Sequence, residues 1–337
     1  MENKKPTYFT MALCLLGSML VGSLKGNEQI ATAIKKDVIL WDVNKGTEIR
    51  KFSGHTNRVT TIAFSSDGKL MVSGDSGGKI MLWDVETGKI KQKITAKEWV
   101  RSVTFDNDAS FIVGVSAHAI QLWNTKTGKE ITGNKFKKGI SNMGMMYAVL
   151  SPNNKYIATI LWGAAKIQLW DVKTGSKIKE FGAYPAQGSS ILFSPDSSEI
   201  FTAGQVGDFD FDGIKVWNLK GDEITENRFT KEHTSHITRI AMKGNKLLSG
   251  EDNKKEKNKK VILWNADTGQ KIREFSGITL PIKKLVFSPN SNLIACGAQR
   301  LVRGEFIIWN AETGQTVQHK KFRGALSAIA FRPIGIN

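Results

Sequence analysis

The segment Arg58–Ile94 has the pattern of apolar and polar positions that the rest of the chain repeats. Apolar and polar residues alternate over Val59–Phe64, Ile80–Trp83 and Ile90–Ile94, and Leu70–Ser73 is a short apolar run. The residues between these runs are mostly Gly, Asp, Ser and Thr, which favour turns. Alternation with a period of two, interrupted by such turns, predicts four short antiparallel strands in a meander.

The same pattern recurs along the whole chain, and each copy is marked by a tryptophan that is followed by Asp or Asn. Seven of the nine tryptophans take this position, 40 to 47 residues apart: Trp41, Trp83, Trp123, Trp170, Trp217, Trp264 and Trp309. A fixed period of this length indicates a repeat architecture. The period, the four strands and the Trp-Asp mark resemble the WD-repeat β-propeller family, over roughly Glu28–Pro333. The Thr-Gly turns that precede the fourth strands resemble bacterial members of that family.

The resemblance implies an all-β fold: a single seven-bladed β-propeller with four antiparallel strands per blade. Leu326–Pro333 repeats the pattern of the inner strand Val59–Ser66 and is followed by no second strand. The N-terminal copy has Gln29–Ile34, Val38–Trp41 and Glu48–Phe52 but no clear inner strand. We therefore expect the C-terminal strand to complete the first blade and close the ring, which removes exposed sheet edges.

Residues 1–24 form a signal-peptide-like segment, and residues 25–337 are assigned to the propeller. Two lysines precede the uncharged run Met11–Leu24, whose length is too short for a membrane-spanning helix. Small residues near Ser23 suit cleavage there, so export to the periplasm or the exterior is expected. The alternative is that this run is a buried inner strand of the first blade, and the protein would then be cytoplasmic.

The charge of the chain is unusual, whereas its length suits one propeller. The 337 residues carry a formal net charge of +17. Such a charge favours attraction to acidic proteins, nucleic acid or an anionic membrane surface. The lysines are spread over all blades without interleaved aromatic residues, so nucleic acid is not expected as a partner. Cys14 and Cys296 are the two cysteines, and no internal disulfide is expected.

Three motifs suggest chemistry that their context does not support. Gly74–Gly78 reads GDSGG, like the segment around a trypsin-like nucleophile, but it lies in a repeat turn. Asp208–Gly213 resembles the first half of a calcium loop, yet the expected bidentate Glu is Leu219, which favours a polar turn and leaves weak calcium binding open. The five histidines have no metal-ligand spacing. No catalytic residues, metal or cofactor are therefore predicted.

Many WD repeats contain a buried hydrogen-bond network of His, Asp, Ser or Thr, and Trp. In the second blade, His55, Ser73 and Trp83 fit this network, but Gly77 stands at the position that we assign to the acid. Since a buried polar network stabilises only when complete, packing rather than this network is predicted to stabilise the blades.

One face of the ring is the predicted binding face. The segments between second and third strands lengthen in the last three blades, at Gln205–Gly213, Glu251–Lys260 and Gln299–Glu305. Insertions in repeat proteins lie on one face, which is often the binding face. Side chains at the mouth of the central channel belong to the same face. The candidate contact residues are Arg58, Trp99, Trp162, Phe209, Phe211, His236, Lys255, Lys257, Arg300 and Arg303.

The resemblance implies a non-catalytic scaffold that binds a protein or peptide through this loop-rich face. The basic charge adds the expectation of an acidic partner, and a monomeric ring without a transmembrane span in the mature chain is expected. Two alternatives stay open. One is a propeller-type hydrolase with a site in the channel. The other is a basic adhesion module for an anionic polymer or envelope.

Overall fold

The structure is a computed structural model that describes residues 28–131, 133, 136, 145–161, 166–182, 187–205, 213–224, 229, 232–252 and 259–334. These residues form twenty-six strands. In chain order they are β1 (Gln29–Ile34), β2 (Asp37–Asp42), β3 (Glu48–Ser53), β4 (Val59–Phe64), β5 (Leu70–Asp75), β6 (Lys79–Asp84), β7 (Ile90–Thr95), β8 (Ser102–Phe105), β9 (Phe111–Val115), β10 (Ile120–Asn124), β11 (Met145–Leu150), β12 (Tyr156–Leu161), β13 (Ile167–Asp171), β14 (Lys177–Phe181), β15 (Gln187–Phe193), β16 (Glu199–Gln205), β17 (Ile214–Asn218), β18 (Ile237–Lys243), β19 (Lys246–Glu251), β20 (Lys259–Asn265), β21 (Lys271–Ile278), β22 (Ile282–Phe287), β23 (Leu293–Arg300), β24 (Arg303–Asn310), β25 (Thr316–Arg323) and β26 (Leu326–Arg332).

The strands form seven antiparallel sheets, which are the blades of a β-propeller. Blade 1 has the order β26-β1-β2-β3, and blade 2 contains β4 to β7. Blade 3 contains β8 to β10, blade 4 β11 to β14, blade 5 β15 to β17, blade 6 β18 to β21 and blade 7 β22 to β25. In blades 3 and 5, the described residues at the place of the fourth strand form only the isolated bridges Trp123–Glu130 and Trp217–Glu223. The predicted seven-bladed all-β fold is confirmed.

The ring is closed by the C-terminal strand, as the sequence predicts. β26 pairs antiparallel with β1, from Gln29 opposite Arg332 to Ile34 opposite Leu326. The inner strands of neighbouring blades contact one another in the order β26, β4, β8, β11, β15, β18, β22 and back to β26. They therefore surround a central channel.

The repeated tryptophans occupy the interfaces between blades. Trp83 is almost fully buried and packs edge-on against Phe52 of blade 1, with 5.6 Å between the ring centroids. Trp217 lies against Phe181 and Trp309 against Phe275 in the same relation to the preceding blade. Large aromatic side chains bury extensive apolar area, and this contact repeats around the ring. The regular spacing of tryptophan thus follows from the spacing of the blade interfaces.

The Asp or Asn after each tryptophan holds the turn before the fourth strand. In blade 2, Asp84 Oδ1 accepts hydrogen bonds from the backbone N–H and the hydroxyl of Thr87, both at 2.8 Å. Gly88 then adopts a φ of 72°, a region that glycine enters without steric cost. Asp171 holds Thr174 in the same way. The Trp-Asp dipeptide therefore combines an interface contact with a turn contact.

Candidate binding site at the channel mouth

The mouth of the central channel is formed where the inner strands begin. Six of these inner strands have a β-bulge near their first residue, so that each contains one extra residue relative to the strand that it pairs with. The extra residues are Thr60, Met146, Ser189, Thr238, Lys283 and Ser327. Bulges redirect side chains and occur often beside functional sites. Three of these extra residues, Thr60, Lys283 and Ser327, line a cavity at the mouth.

This mouth cavity has a volume of about 470 Å³ and is lined by residues from six blades. Five of its ten lining residues are cationic, and two are aromatic. The lining consists of Arg58, Thr60, Trp99, Arg101, Tyr147, Arg239, Lys283, Lys284, Gln299 and Ser327. No carboxylate is among these lining residues. The mouth therefore concentrates positive charge in a concave, partly enclosed space.

Two of the arginines are held in place by protein groups. Arg58 donates from Nε to the Ser327 hydroxyl at 3.2 Å and from Nη2 to Gln299 Oε1 at 2.9 Å. Arg239 donates from Nε to the Lys283 carbonyl at 2.6 Å, and its guanidinium lies 4.9 Å from the centre of the Tyr147 ring. A cation over an aromatic face is attracted to the ring. These contacts fix two charges on different sides of the mouth.

The other cations of the mouth have fewer partners. Arg101 lies 5.7 Å from the centre of the Trp99 ring, and its buried Nε has no hydrogen-bond partner within the described residues. Burial, with the nearby charge of Arg239, lowers the pKa of Lys284 to about 8. Burial also lowers the pKa of Lys283, again with a contribution from Arg239. A low lysine pKa of this origin indicates that positive charge is costly at the mouth.

A hairpin projects on the same face as the mouth. β23 and β24 pair to their ends, so that Arg300 lies opposite Arg303 and the turn consists of Leu301 and Val302. Leu301 is 86% exposed and Val302 is 69% exposed. Gln299 links the hairpin to the mouth, because its side chain accepts from Arg58 and its N–H donates to the Pro281 carbonyl at 3.0 Å. The hairpin tip, residues 300–303, is thus adjacent to the mouth cavity.

Three buried carboxylates hold the loops around the mouth. Asp75 binds His55, in the loop before β4, at 2.8 Å. Glu251 accepts from the backbone N–H groups of Thr234 and Ser235, before β18, and Glu305 binds the segment before β22 in the same way. Burial would raise the pKa of Glu251, but hydrogen bonds from His233 and from the Thr234 backbone outweigh it, and the pKa lies below its ordinary value. These carboxylates hold loops that border the mouth cavity.

The prediction that blade 2 lacks a complete network is wrong. The Trp83 indole donates to the Ser73 hydroxyl at 2.8 Å, Ser73 Oγ lies 2.7 Å from His55 Nε2, and His55 Nδ1 lies 2.8 Å from Asp75 Oδ2. The acid is Asp75 rather than the position of Gly77, because β5 extends through Gly74 and Asp75 instead of ending at Ser73. Because burial lowers the pKa of His55, a neutral ring is favoured, with Nδ1–H donating to Asp75 and Nε2 accepting from the Ser73 hydroxyl.

The same hydroxyl position is used in most other blades. The tryptophan indole donates to a Thr or Ser hydroxyl in blades 1, 2, 4, 5 and 6: Thr32, Ser73, Thr159, Thr202 and Ser249. Blade 6 also has a histidine and an acid, since His233 contacts both Ser249 and Glu251. The expectation that packing alone stabilises the blades is therefore also wrong, because polar networks accompany it.

The Ser73–His55–Asp75 array has the composition of a catalytic triad but is closed to substrates. Ser73 and Asp75 are fully buried, and the Ser73 hydroxyl already receives the Trp83 indole N–H. A catalytic serine must reach a substrate carbonyl beside an oxyanion hole. Ser249 of blade 6 is fully buried in the same way. These arrays therefore stabilise the fold.

The comparisons with known proteins agree with this architecture. The family model described as "WD domain, G-beta repeat" matches residues 46–84, which cover the end of blade 1 and three strands of blade 2. The chain is a WD-repeat β-propeller.

Two curated proteins are similar to this WD-repeat chain. It is 25% identical over 287 residues to the 66 kDa stress protein of Physarum polycephalum, a match that covers 83% of this chain and 45% of that protein. It is 23% identical over 171 residues to Autophagy-related protein 16 of Arabidopsis thaliana, which covers 50% of this chain and 32% of that protein. The chain thus spans less than half of the length of either relative. Both relatives are eukaryotic, and the resemblance of the turns to bacterial members stays a prediction.

A solved structure supports the fold. The crystal structure of the computationally designed Ika8 protein superposes with a TM-score of 0.64 at 20% identity, over 91% of this chain and 88% of that chain. At this level of identity the likeness concerns the fold alone.

The structure brings together some of the predicted contact residues of the WD-repeat protein. Arg58 and Trp99 both line the mouth cavity, and Trp99 is 53% exposed. Arg300 and Arg303 flank the hairpin tip. His236 is partly buried and is not among the residues that line the cavity. The other candidates lie outside the described residues: Trp162, Phe209, Phe211, Lys255 and Lys257.

Sequence analysis missed most of the charge at the mouth. Arg101 and Lys283 each follow the first buried residue of their inner segment, Val100 and Ile282. A comparison of that position across the repeats would have placed both at the channel. Arg239 and Lys284 could not be found in this way, because the bulges shift the alternation by one residue.

Within the residues that the structure describes, no group of three or more His, Cys, Asp or Glu side chains is arranged to hold a metal ion. No helix in that part of the WD-repeat chain has the length and hydropathy needed to cross a membrane.

The stability of the WD-repeat protein is expected to fall as the pH is lowered through 6.5. Burial lowers the pKa of His55 from its ordinary value of 6.5, although the hydrogen bond and the charge of Asp75 oppose this shift. The unfolded chain then takes up the proton more readily than the folded protein. The free energy of unfolding falls by about 1.4 kcal/mol for each pKa unit by which the two states differ. Urea midpoints measured between about pH 7.5 and about pH 5.5 check this. His55→Gln should remove the pH dependence, whereas His118→Gln, at an exposed site, should retain it.

Proposed function

We propose that this WD-repeat propeller is a non-catalytic scaffold that binds a protein partner through the face that contains the mouth cavity and the hairpin tip. The observation that carries the proposal is the apolar turn of the tip. Leu301 and Val302 project into solvent side by side. Two large aliphatic side chains exposed together at the end of a hairpin favour a contact surface more than scattered single residues do.

The backbone of the tip adds to this argument. Leu301 has a φ of 51°, which is uncommon for a residue other than glycine, asparagine or aspartate. The strain amounts to about 1 kcal/mol. Neither burial nor internal packing of the side chain compensates for it at such exposure. A functional role for Leu301 accounts for a strained aliphatic residue at a position that glycine would occupy more easily.

The alternatives have less support. A hydrolase in the channel needs a general base or a metal, and the described lining of the mouth offers cations, hydroxyls and aromatic rings. Adhesion to an anionic polymer relies on the net charge of +17, which is distributed over the whole ring. The export proposal concerns residues 1–24, which lie outside the described residues. It has indirect support, because β26 supplies the inner strand of blade 1 and the ring needs none from that segment.

A matched pair of variants tests the proposal. The double variant Leu301→Ser/Val302→Ser removes the apolar tip, and Ile178→Ser/Ile272→Ser changes two half-exposed isoleucines on outer strands β14 and β21. Proteins from the native host are crosslinked to each variant and quantified by mass spectrometry. We expect specific proteins to be retained by the wild type and the outer-strand variant and to be reduced at least about tenfold by the tip variant. Equal capture by both variants would contradict a binding role of this face.

A further inference from the structure

We propose that the mouth cavity binds a carboxylate of an acidic peptide segment, and that this segment belongs to the partner protein. The proposal rests on the proposed function and names the chemistry of the partner. Its basis is the juxtaposition of Arg101 and Lys284 with three other cations around one cavity of about 470 Å³.

The mouth cavity contains five cationic side chains. Arg58, Arg101, Arg239, Lys283 and Lys284 come from four different blades and face one space. Cations that are partly removed from water repel one another and lose hydration, so the arrangement destabilises the free protein. Removing that cost requires an anion. None of the described lining residues supplies one, and the nearby Asp252 carboxylate offsets only part of the cost, because the pKa of Lys283 stays below its ordinary value.

The cations of the cavity differ in their hydrogen-bond partners. Arg58 and Arg239 donate to protein oxygens and are held in place. In contrast, Arg101 Nε is buried without a partner among the described residues. The partly exposed Lys284 makes no hydrogen bond or ion pair with them. A buried N–H without an acceptor is rare in native proteins. These two groups are therefore the donors that a bound carboxylate would contact.

The size and surroundings of the cavity favour a peptide over other anions. The cavity is large enough for one or two side chains, and Trp99 at its edge is half exposed. Gln299 connects the cavity directly to the apolar tip. A peptide that places an acidic residue in the cavity and an aliphatic residue against Leu301 would match both surfaces. A nucleic-acid strand would match the charge but not the aliphatic turn.

Fluorescence anisotropy with a labelled octaglutamate peptide tests the inference, with octaglutamine as the uncharged probe. We expect the glutamate peptide to bind and the glutamine peptide not to bind. Arg101→Gln/Lys284→Gln should weaken binding by at least about tenfold, because each charge-assisted hydrogen bond has about that effect. The matched variant Lys93→Gln/Lys129→Gln removes two exposed lysines away from the cavity and should change the affinity by less than about twofold.

Two outcomes would overturn the inference. If both double variants lost affinity for octaglutamate equally, the peptide would bind to the general positive charge of the surface rather than to the cavity. If a single-stranded oligothymidylate of equal charge bound more tightly than octaglutamate and lost that binding in Arg101→Gln/Lys284→Gln, the cavity would be a nucleic-acid site.

A stability measurement separates loss of binding from loss of folding. Lys284→Met keeps most of the side-chain volume and removes the unpaired ammonium. We expect it to raise the melting temperature of the free protein while it weakens octaglutamate binding. A lowered melting temperature would mean that Lys284 has a structural partner and would contradict the inference.

Failure of the inference can be distinguished from failure of the proposed function. If octaglutamate does not bind but the tip variant still loses its crosslinked proteins, the face binds a partner without an acidic anchor. If octaglutamate binds as expected but the tip variant and the outer-strand variant capture the same proteins, the mouth is an anion site and the role of the tip is refuted.

Discussion

Removal of the chain beyond Gly324 is expected to abolish the folded, soluble propeller. This deletion takes away β26, which pairs with β1 and lies between the inner strands β4 and β22. It also removes the buried side chains Leu326, Ile329 and Phe331. The deletion would expose the edge of β1 and leave a gap in the channel wall, and an open edge of this kind promotes aggregation. Soluble yield and the cooperativity of thermal unfolding, followed by tryptophan fluorescence, measure the effect.

Deletion of residues 335–337 is the matched control, because it leaves β26 in place. It should preserve both the yield and the unfolding transition. A milder variant, Ile329→Ala, is expected to fold and to lose about 2–5 kcal/mol of stability, as large-to-small changes in a core do. If the protein without β26 unfolded with the same midpoint as the full chain, the ring would not depend on this closure.

The fold could be predicted from sequence because the residues that indicate it recur in every blade. Each tryptophan lies at a blade interface, and each following Asp or Asn holds a turn, so that both requirements recur with the period of the blades. The closing strand was predictable for the same reason. Leu326–Phe331 has the same apolar alternation as Val59–Phe64, and both are inner strands.

The network in blade 2 was not predictable, because Gly74 and Asp75 are residues typical of turns. The structure places both in β5, where Gly74 pairs with Ile80 and Asp75 with Val59. Glycine is required there, since a Cβ at position 74 would lie 2.6 Å from Val100 Cγ1. Tertiary packing thus overrides a local signal for a turn.

The candidate site was predictable only in part. Arg58 and Trp99 were identified because they lie at a fixed distance before the inner strands, and that part of the pattern is regular. Arg239 and Lys284 follow bulged residues, where the strict alternation of the strand fails. The exposure of Leu301 depends on how far β23 and β24 continue to pair, which composition alone does not determine.

The substitution Asp75→Ala is expected to lower the free energy of unfolding by about 3 kcal/mol, because three N–H donors lose their acceptor at about 1 kcal/mol each. Asp75 Oδ1 accepts hydrogen bonds from the backbone N–H groups of Gly77 and Lys79, both at 2.9 Å, and Oδ2 contacts His55. The His55 ring would lose its partner in a buried site, and the two backbone N–H groups would lose their acceptor in a partly buried one. Urea unfolding followed by tryptophan fluorescence measures the change.

Blade 3 offers the matched position for this experiment. Ser116 lies four residues after Ile112, the partner of Trp123, just as Asp75 lies four residues after Met71, the partner of Trp83. Its hydroxyl contacts the Ala119 carbonyl at 3.3 Å and the partly exposed Glu98 carboxylate. Ser116→Ala should therefore cost only about 0.5–1.5 kcal/mol. Equal effects of the two substitutions would mean that the carboxylate contributes no more than a neutral hydroxyl does, and that packing of Trp83 against Phe52 maintains blade 2 without the network.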